Sequence, residues 1–304
     1  MSLPLFALLG LGFLLARKGL FSEDYVSRTT SLVYYVFLPA KLFLDISGLD
    51  LAAAFEGKYV IAAAAAVVIQ FLAAWVCGDL LCRDKSKRSA FSHACFRGNF
   101  VYLGLALLQN IYGTGTVPTA AVILAIVLPL YNIGGVVLLT VKENRGRVHL
   151  GAILLGILKN PMVLAILAGL PFALFHVQFP YVVTRSLDYL QAATSTMALL
   201  VVGASIRLDA IRADLSLLMK LSAVKLLAMP AIMGALAVAM GLGTQQIVTL
   251  VIVGAMPAAV NVYIITDKMG GDGKLACGGV VVTHLMSLFT MTGVVFLLKT
   301  LGMI

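Results

Sequence analysis

Ten stretches of this chain are each apolar enough to cross a lipid bilayer, and this constrains the fold more than any motif does. A crossing helix needs about 20 predominantly apolar residues. With 61% hydrophobic and 12% charged residues among 304, the chain has too little polar surface to enclose a soluble core. We therefore predict an all-α integral membrane protein embedded in a lipid bilayer. Its ten predicted spans are 2–16, 29–44, 59–81, 89–112, 117–141, 150–170, 181–206, 217–240, 247–266 and 275–298.

The Lys and Arg residues fall almost entirely into every second gap between these spans. Short basic loops are retained in the cytoplasm, so the pattern predicts a cell (inner) membrane protein with both termini outside. The formal net charge of +9 is mostly this orientation signal. No basic patch with aromatic partners indicates nucleic-acid binding. The residues of the basic gaps are Arg17, Lys18, Arg28, Arg83, Lys85, Lys87, Arg88, Lys142, Arg145, Arg147, Arg207, Arg212, Lys268 and Lys274.

Five crossings followed by a short basic loop and five more place the second half upside down relative to the first, because five is odd. Such inverted repeats are common in secondary transporters. We predict a first repeat over residues 1–141, a cytoplasmic linker over 142–149 and a second repeat over 150–304.

Helix-breaking residues recur in spans four and nine, which correspond to each other in the two repeats. Substrates of such folds usually bind near mid-bilayer, where broken helices expose backbone groups to a cavity. Glycine in membrane helices also serves close packing, which is the competing interpretation. Span four carries Gly98, Asn99 and Gly104, and span nine carries Gly254, Pro257 and Asn261.

Several segments resemble the auxin efflux carrier family. RGNFVYLGLALLQNIYG (97–113) resembles the family's NT-x-x-x-G-x-P-L-x-x-x-x-YG signature, and LKNPMVLAILAGL (158–170) resembles its Asn-Pro motif. YYVFLPAKLF (34–43), KLLAMPAI (225–232) and GAMPAAVNVYIITDKMG (254–270) resemble its second, eighth and ninth helices. The likeness covers nearly the whole chain in the family's motif order, and it is closest to the bacterial permease branch.

The resemblance implies ten helices in two inverted repeats, with helices four and nine broken and crossing. Helices one, two, six and seven would form a scaffold, and the others a mobile transport unit. The resemblance also implies a homodimer joined through the scaffold and a small carboxylate substrate such as malate, malonate or an indole acid. The family is similar in fold to bile-acid sodium symporters.

Carried over by position, Asn99 and Asn160 would contact the substrate carboxylate, and the helix break suggests Asn261 as a third ligand. An amide can donate two hydrogen bonds to an anion without a buried charge of its own. An interhelical amide bond is the alternative role for each.

Some positions depart from the family pattern. Ala106 and Val262 stand where prolines usually break helices four and nine, so breakage would depend on Gly98, Gly104 and Pro257. Lys58 could match a family lysine near the third helix, but Ala54 occupies the matching acidic position, which puts auxin itself in doubt.

Charged and titratable residues inside spans are expensive and usually functional. Arg97 and Lys159 flank the two proposed ligands and could attract an anion, and Lys225 is a further candidate, whereas snorkelling is favoured for Lys41. His93 and His284 are either proton carriers or buried hydrogen-bonded residues. No carboxylate lies in the middle of span four or nine, and neither a metal site nor a cofactor is predicted.

The combined prediction is a secondary transporter that moves small organic carboxylate anions, by efflux and alternating access, at a crossover site in mid-membrane. A sodium-coupled organic anion symporter of the bile-acid type is the closest alternative. An intramembrane enzyme is the remote one, because no HExxH, paired aspartate or G-x-S-x-G motif is present.

Overall fold

The computed structural model describes residues 3–48, 57–112, 117–144, 150–177 and 179–304. These residues are almost entirely helical and form no named strand. Six of the helices are long and apolar enough to cross a membrane. The prediction of an all-α membrane protein is therefore confirmed at this level. Ala54, Arg145 and Arg147 lie outside the described residues.

We number the helices in chain order. They are α1 Leu3–Arg17, α2 Glu23–Ser47, α3 Gly57–Leu81, α4 Arg88–Phe96, α5 Leu105–Tyr112, α6 Val117–Glu143, α7 Leu150–Leu158, α8 Pro161–Phe175, α9 Tyr181–Ala204, α10 Leu208–Ala213, α11 Leu215–Ala239, α12 Thr244–Ala255, α13 Asn261–Lys268 and α14 Gly273–Thr300.

Two long helices contain a widened π-helical turn just before a proline. In α2 the turn is Val33–Phe37 and Pro39 follows, and in α11 it is Val224–Ala228 and Pro230 follows. A proline has no N–H to donate and its ring clashes with the carbonyl four residues earlier. The extra residue in the turn accommodates that clash, so both helices continue past their proline.

Helices α1, α2, α8 and α9 pack mainly against one another. Their closest approach is between α1 and α9, where Gly12 faces the Leu200 carbonyl and Gly203 faces the Leu9 carbonyl. A Cβ atom at either glycine would overlap that carbonyl, so the two backbones touch directly. This is the small-residue packing used between membrane helices.

The other large group is built around α3, α4, α6, α11, α12 and α14. Ion pairs join its helices at the end where the predicted basic loops lie. Asp79 lies 2.8 Å from Lys142 and 3.6 Å from Arg88, and Lys87 lies 2.6 Å from Asp214. The hydrogen bond to Asp214 raises the pKa of the Lys87 ammonium above its ordinary value.

Three predicted spans are interrupted. Span four (89–112) divides into α4 and a helix that begins at Phe100, and span nine (247–266) divides into α12 and α13. Span six (150–170) divides at Asn160 into α7 and α8. The interruptions of spans four and nine lie side by side and define the site described next.

Candidate functional site

The interruption after α4 is a short extended segment at residues 97–99. Arg97 has extended backbone angles of φ −89° and ψ 111°. Helical structure resumes with a π-helical turn over Phe100–Gly104, which continues into α5. Because the segment is buried, its backbone groups need partners from elsewhere in the chain.

Those partners come from the interruption between α12 and α13. The N–H of Asn99 donates to the Pro257 carbonyl at 2.8 Å, and the N–H of Ala259 donates to the Arg97 carbonyl at 3.0 Å. Gly98 and Ala258 form an isolated antiparallel β-bridge. The two broken helices therefore cross through short extended segments, which a single β-bridge joins.

Gly98 is required by the closeness of this crossing. A Cβ atom there would lie 3.2 Å from the Lys225 Nζ, 3.2 Å from the Val253 carbonyl oxygen and 3.3 Å from the Met256 Cβ. Such distances are tighter than ordinary van der Waals contact, so a side chain would push the two segments apart. Pro257 lies in the other segment and supplies the carbonyl that Asn99 uses.

A partly open cavity of about 80 Å³ lies beside the crossing. Its polar lining comes from both broken helices, from α6 and from the group of helices that contains α1 and α9. The rest of its wall is mostly apolar, as is usual for small-molecule sites. The polar and charged lining residues are Lys41, Asp45, Arg97, Asn99, Tyr131, Thr194, Ser195 and Asn261.

Arg97 is the charged group at the crossing. Its residue surface is 4% exposed, and one guanidinium nitrogen, Nη2, donates to the Asn132 Oδ1 at 2.7 Å. The other terminal nitrogen, Nη1, is buried and has no hydrogen-bond partner among the described residues. A buried guanidinium with an unused donor is costly unless an anion completes it.

Two asparagines accompany Arg97 on the cavity wall. Asn99 is 3% exposed, and its Nδ2 lies 3.3 Å from the Nε2 of His284. Asn261 begins α13, and its Oδ1 is buried without a partner among the described residues. Three of the predicted site residues therefore meet at one cavity.

An ion pair between Lys41 and Asp45 also lines the cavity. Lys41 lies 2.8 Å from Asp45, and both side chains are about 15% exposed. The Nε2 of Gln191 donates to the same carboxylate at 2.7 Å. Lys41 is therefore paired with a carboxylate one helical turn away. The sequence signal was the spacing of four residues, which places a lysine and an aspartate on one face of a helix.

The structure does not bring Asn160 to this cavity. Its Oδ1 accepts the N–H of Met162 at 2.9 Å and so caps the N-terminus of α8. Its Nδ2 donates to the Tyr34 hydroxyl at 2.9 Å. Both ends of the amide are thus occupied by the chain. Lys159, the neighbouring cation, is exposed and lies outside the cavity wall as well.

Two further predicted positions lie near the crossing without lining the cavity. Lys225 is fully buried in the π-helical turn of α11, and its Nζ has no hydrogen-bond partner among the described residues. Gly104 does not interrupt its helix, because it ends the π-helical turn that already follows the break. A Cβ there would overlap the ring of Phe100, so its smallness serves packing.

Comparison with known proteins identifies the family of this chain. A family model described as a membrane transport protein matches residues 2–295. The chain belongs to the membrane transport protein family. This is the auxin efflux carrier family of the sequence motifs, so the predicted resemblance is confirmed. The chain is therefore a membrane transport protein and not an enzyme.

Two relatives in this family cover most of the chain. A protein of Rhizobium meliloti (strain 1021) named "Putative malonate transporter" is 25% identical over 305 residues, which is 98% of this chain and 95% of the relative. The "Uncharacterized transporter YfdV" of Escherichia coli (strain K12) is 25% identical over 278 residues, covering 88% and 86%.

The side chains that could hold a metal ion do not gather at the crossing. Among the residues that the structure describes, no group of three or more His, Cys, Asp or Glu side chains is placed to bind one. The charged side chains on the cavity wall are two cations, Arg97 and Lys41, and one carboxylate, Asp45.

Proposed function

We propose that this membrane transport protein carries small organic carboxylate anions across the membrane, with Arg97, Asn99 and Asn261 as its substrate ligands. The observation that carries the proposal is the buried, unused Nη1 donor of Arg97, a residue that lines the cavity. A carboxylate would accept from that nitrogen in a charge-assisted hydrogen bond, which is about twice as strong as a neutral one. The two asparagines add amide donors beside it.

The crossing adds a second attraction for anions. The helix that begins at Phe100 and helix α13, which begins at Asn261, both start at the cavity wall. The first turns of a helix have unused N–H groups and the positive end of the helix dipole. Broken helices that point such ends at anionic substrate groups are a known arrangement in transporters.

The substrate class that fits best is a short dicarboxylate such as malonate or malate. Arg97 would hold one carboxylate, and Lys41 on the same cavity wall would be available to the second if its contact with Asp45 loosened. The name of the Rhizobium meliloti relative supports malonate as the first compound to test. Indole acids are further compounds to test as competitors, because the sequence motifs resemble those of auxin carriers.

Alternating access is supported by a second space at the other end of the same helices. It measures about 900 Å³ and is lined by Ala16, Ala204 and Asp267, among others. Leu5 of α1 lines the first cavity and Ala16 of the same helix lines the second. In the wall of this second space the hydroxyls of Ser205 and Tyr263 lie 2.7 Å apart and join the end of α9 to α13. We interpret this contact as part of a closed inner gate.

The finer architecture belongs to the same proposal. We propose ten transmembrane helices as two inverted repeats over residues 1–141 and 150–304, joined by the linker 142–149. Helices α1, α2, α8 and α9 would be the scaffold and the site of homodimer contact, and their packing against one another supports this. With both termini outside the cytoplasm in the cell membrane, the cavity beside Leu5 and Asp45 would face outward.

Efflux is the direction that the membrane potential favours. An inside-negative potential of 100 mV contributes about 2.3 kcal/mol per elementary charge, or roughly a 50-fold gradient, to the exit of a monoanion. No sodium gradient is then required for outward movement. A sodium-coupled symporter is the alternative that the following experiment separates.

The test is transport by purified protein in proteoliposomes. We expect saturable counterflow of radiolabelled malonate, competed by malate, at the same rate in sodium and in potassium buffers. Net outward flux should rise when the interior is made negative. The matched variants are Arg97→Gln, which should strongly reduce the flux, and Arg185→Gln, which changes an exposed arginine on α9 and should leave it unchanged.

Two results would contradict the proposal. One is malonate flux that does not saturate or does not respond to the potential. The other is undiminished flux in Arg97→Gln protein that elutes as the wild type does in size-exclusion chromatography. A requirement for sodium would select the symporter instead.

A further inference from the structure

A buried histidine stands directly behind the proposed carboxylate site. His284 lies in the middle of α14 and is 1% exposed. Its Nδ1 is 2.8 Å from the Val280 carbonyl, and its Nε2 is 3.3 Å from the Asn99 Nδ2. The second contact connects the imidazole to a side chain on the cavity wall.

These two contacts are those of a neutral ring with its proton on Nδ1. A carbonyl oxygen can only accept, so the Nδ1 of His284 must carry a proton. In the neutral imidazole the Nε2 then has no proton and must accept, which requires Asn99 to present its Nδ2 to the ring. The Asn99 amide therefore gives one of its donor groups to His284, and its oxygen is directed elsewhere.

We propose that His284 and Asn99 form a proton site that couples proton movement to carboxylate transport. This inference rests on the proposed function and adds the co-transported ion. A proton from cavity water binds the Nε2 of His284, which then becomes a donor. The Asn99 amide turns over, so that its Oδ1 accepts from Nε2–H and its Nδ2 faces the cavity. The arriving carboxylate accepts from the released Nδ2.

The charges around His284 favour binding of the proton and the anion together. Cys95 and Lys225 lie on helices that pack against α14, and Arg97 directly follows α4. A proton on His284 would add a positive charge behind the Asn99 amide, and a carboxylate bound to that amide would offset it. By linkage, a proton that strengthens anion binding is itself bound more tightly when the anion is present.

The remaining titratable groups on these elements are not placed to do the same work. The acidic ones, Asp209 and Asp267, lie on α10 and at the far end of α13, and α12 carries none. His93 on α4 is bonded through Nδ1 to the Thr266 hydroxyl at 2.8 Å and does not line the cavity. The other groups on these elements are Arg88, Arg212, Lys220, Tyr263 and Lys268.

Proton coupling is compatible with efflux driven by the potential. A dicarboxylate that leaves with one proton still carries one negative charge outward. The potential then continues to favour exit, while the proton removes part of the cost of placing a dianion in a low-dielectric cavity. A monocarboxylate that leaves with a proton would instead move without net charge.

The experiment uses full-length protein in vesicles that contain malonate and a pH-sensitive dye, with the potential held constant by valinomycin and potassium. At neutral to mildly alkaline pH both malonate carboxyls are ionised. We expect outward malonate flux to make the interior alkaline, with about one proton leaving per malonate. The apparent KM for malonate should rise with pH by up to about tenfold per unit, because the competent protonated fraction falls by that factor.

The decisive variant is His284→Gln, whose amide can still hydrogen-bond to Asn99 but cannot titrate. We expect it to exchange malonate without alkalinisation and with a KM that no longer depends on pH. The matched control is His93→Gln, which removes a buried histidine outside the cavity and should keep both responses. A purely structural role for His284 would change stability and leave the proton count per malonate unaltered.

Three outcomes separate the claims. Wild-type malonate flux without any proton movement would overturn the inference and leave the carboxylate carrier standing. Proton movement that persists in His284→Gln would also overturn it. No malonate flux in the wild type would contradict the proposed function, and this inference with it. Because the wild-type measurement stands alone, the inference can be refuted even if the variant does not fold.

Discussion

The break after α4 and the break after α12 use the same backbone solution and carry different side chains. Each is a short extended segment, and each satisfies the other through the Gly98–Ala258 bridge. The first segment brings a buried guanidinium and Asn99 to the cavity, whereas the second brings only Asn261. The backbone of both breaks therefore forms part of the cavity wall, and we propose that the first break supplies most of its affinity for an anion.

The largest effect should come from removing the charge of the first break. Arg97→Gln loses a charge-assisted bond to the substrate, and hydrogen bonds to charged groups are worth about 1.5 to 3 kcal/mol, or roughly 10- to 150-fold. We expect the malonate counterflow rate at subsaturating substrate to fall by about 100-fold. An unchanged rate would show that the charge of Arg97 does not give the first break a greater affinity for the anion.

The next effect should come from the backbone that the two breaks share. Gly98→Ala places a methyl group 3.2 Å from the Lys225 Nζ and the Val253 carbonyl oxygen. Overpacking of this kind costs about 1 to 3 kcal/mol, so both the flux and the thermal unfolding temperature in detergent should fall. The control is Gly10→Ala on α1, where no heavy atom lies within 4 Å of the new Cβ. Equal unfolding temperatures for the two variants would count against the tight crossing.

A smaller effect should distinguish the amides. Asn99→Ala and Asn261→Ala each remove neutral donors, so the KM for malonate should rise by about 2- to 12-fold, from 0.5 to 1.5 kcal/mol per bond. Asn160→Ala should leave the KM unchanged and lower the unfolding temperature, because Asn160 caps α8 and bonds to Tyr34. A KM effect confined to Asn160→Ala would return that residue to the substrate site.

The smallest effect should be a gain. Asp45→Asn removes the carboxylate that competes for Lys41, so the ammonium becomes available to the second carboxylate of a dicarboxylate. Partly exposed ion pairs contribute about 0 to 1 kcal/mol, so the KM for malonate should fall by about two- to threefold. Asp24→Asn, at an ion pair with 71% exposure of its aspartate, is the control and should change nothing. A raised KM would assign Asp45 a direct role instead.

The sequence predicted the membrane class and the positions of both breaks from local composition, and it predicted the family from the resemblance of its motifs. The length of an apolar span can be read from that span alone. Glycine, proline and asparagine mark helix breaks without any knowledge of tertiary contacts. The two breaks lie in helices that correspond to each other in the predicted repeats, so the sequence predicted that the breaks would lie close together. The residues that flank them and meet at one cavity are Arg97, Asn99 and Asn261.

Other parts of the site depended on three-dimensional contacts that a sequence does not show. The prediction for Asn160 rested on its motif, and the structure shows both ends of its amide in use, by α8 and by Tyr34. Lys159 is next to it in sequence and yet exposed, because the end of α7 points it outward. The pairing of His284 with Asn99 joins residues 185 apart, and nothing local signals it.

The most direct test of the account is an experimental structure of the protein with malonate bound. We predict ligand density in the cavity at the crossing, with one carboxylate within hydrogen-bond distance of the Arg97 Nη1 and of the amide of Asn99 or Asn261. Density only in the space beside Asp267, or α4 and α5 joined as one unbroken helix with Arg97 turned away, would contradict it.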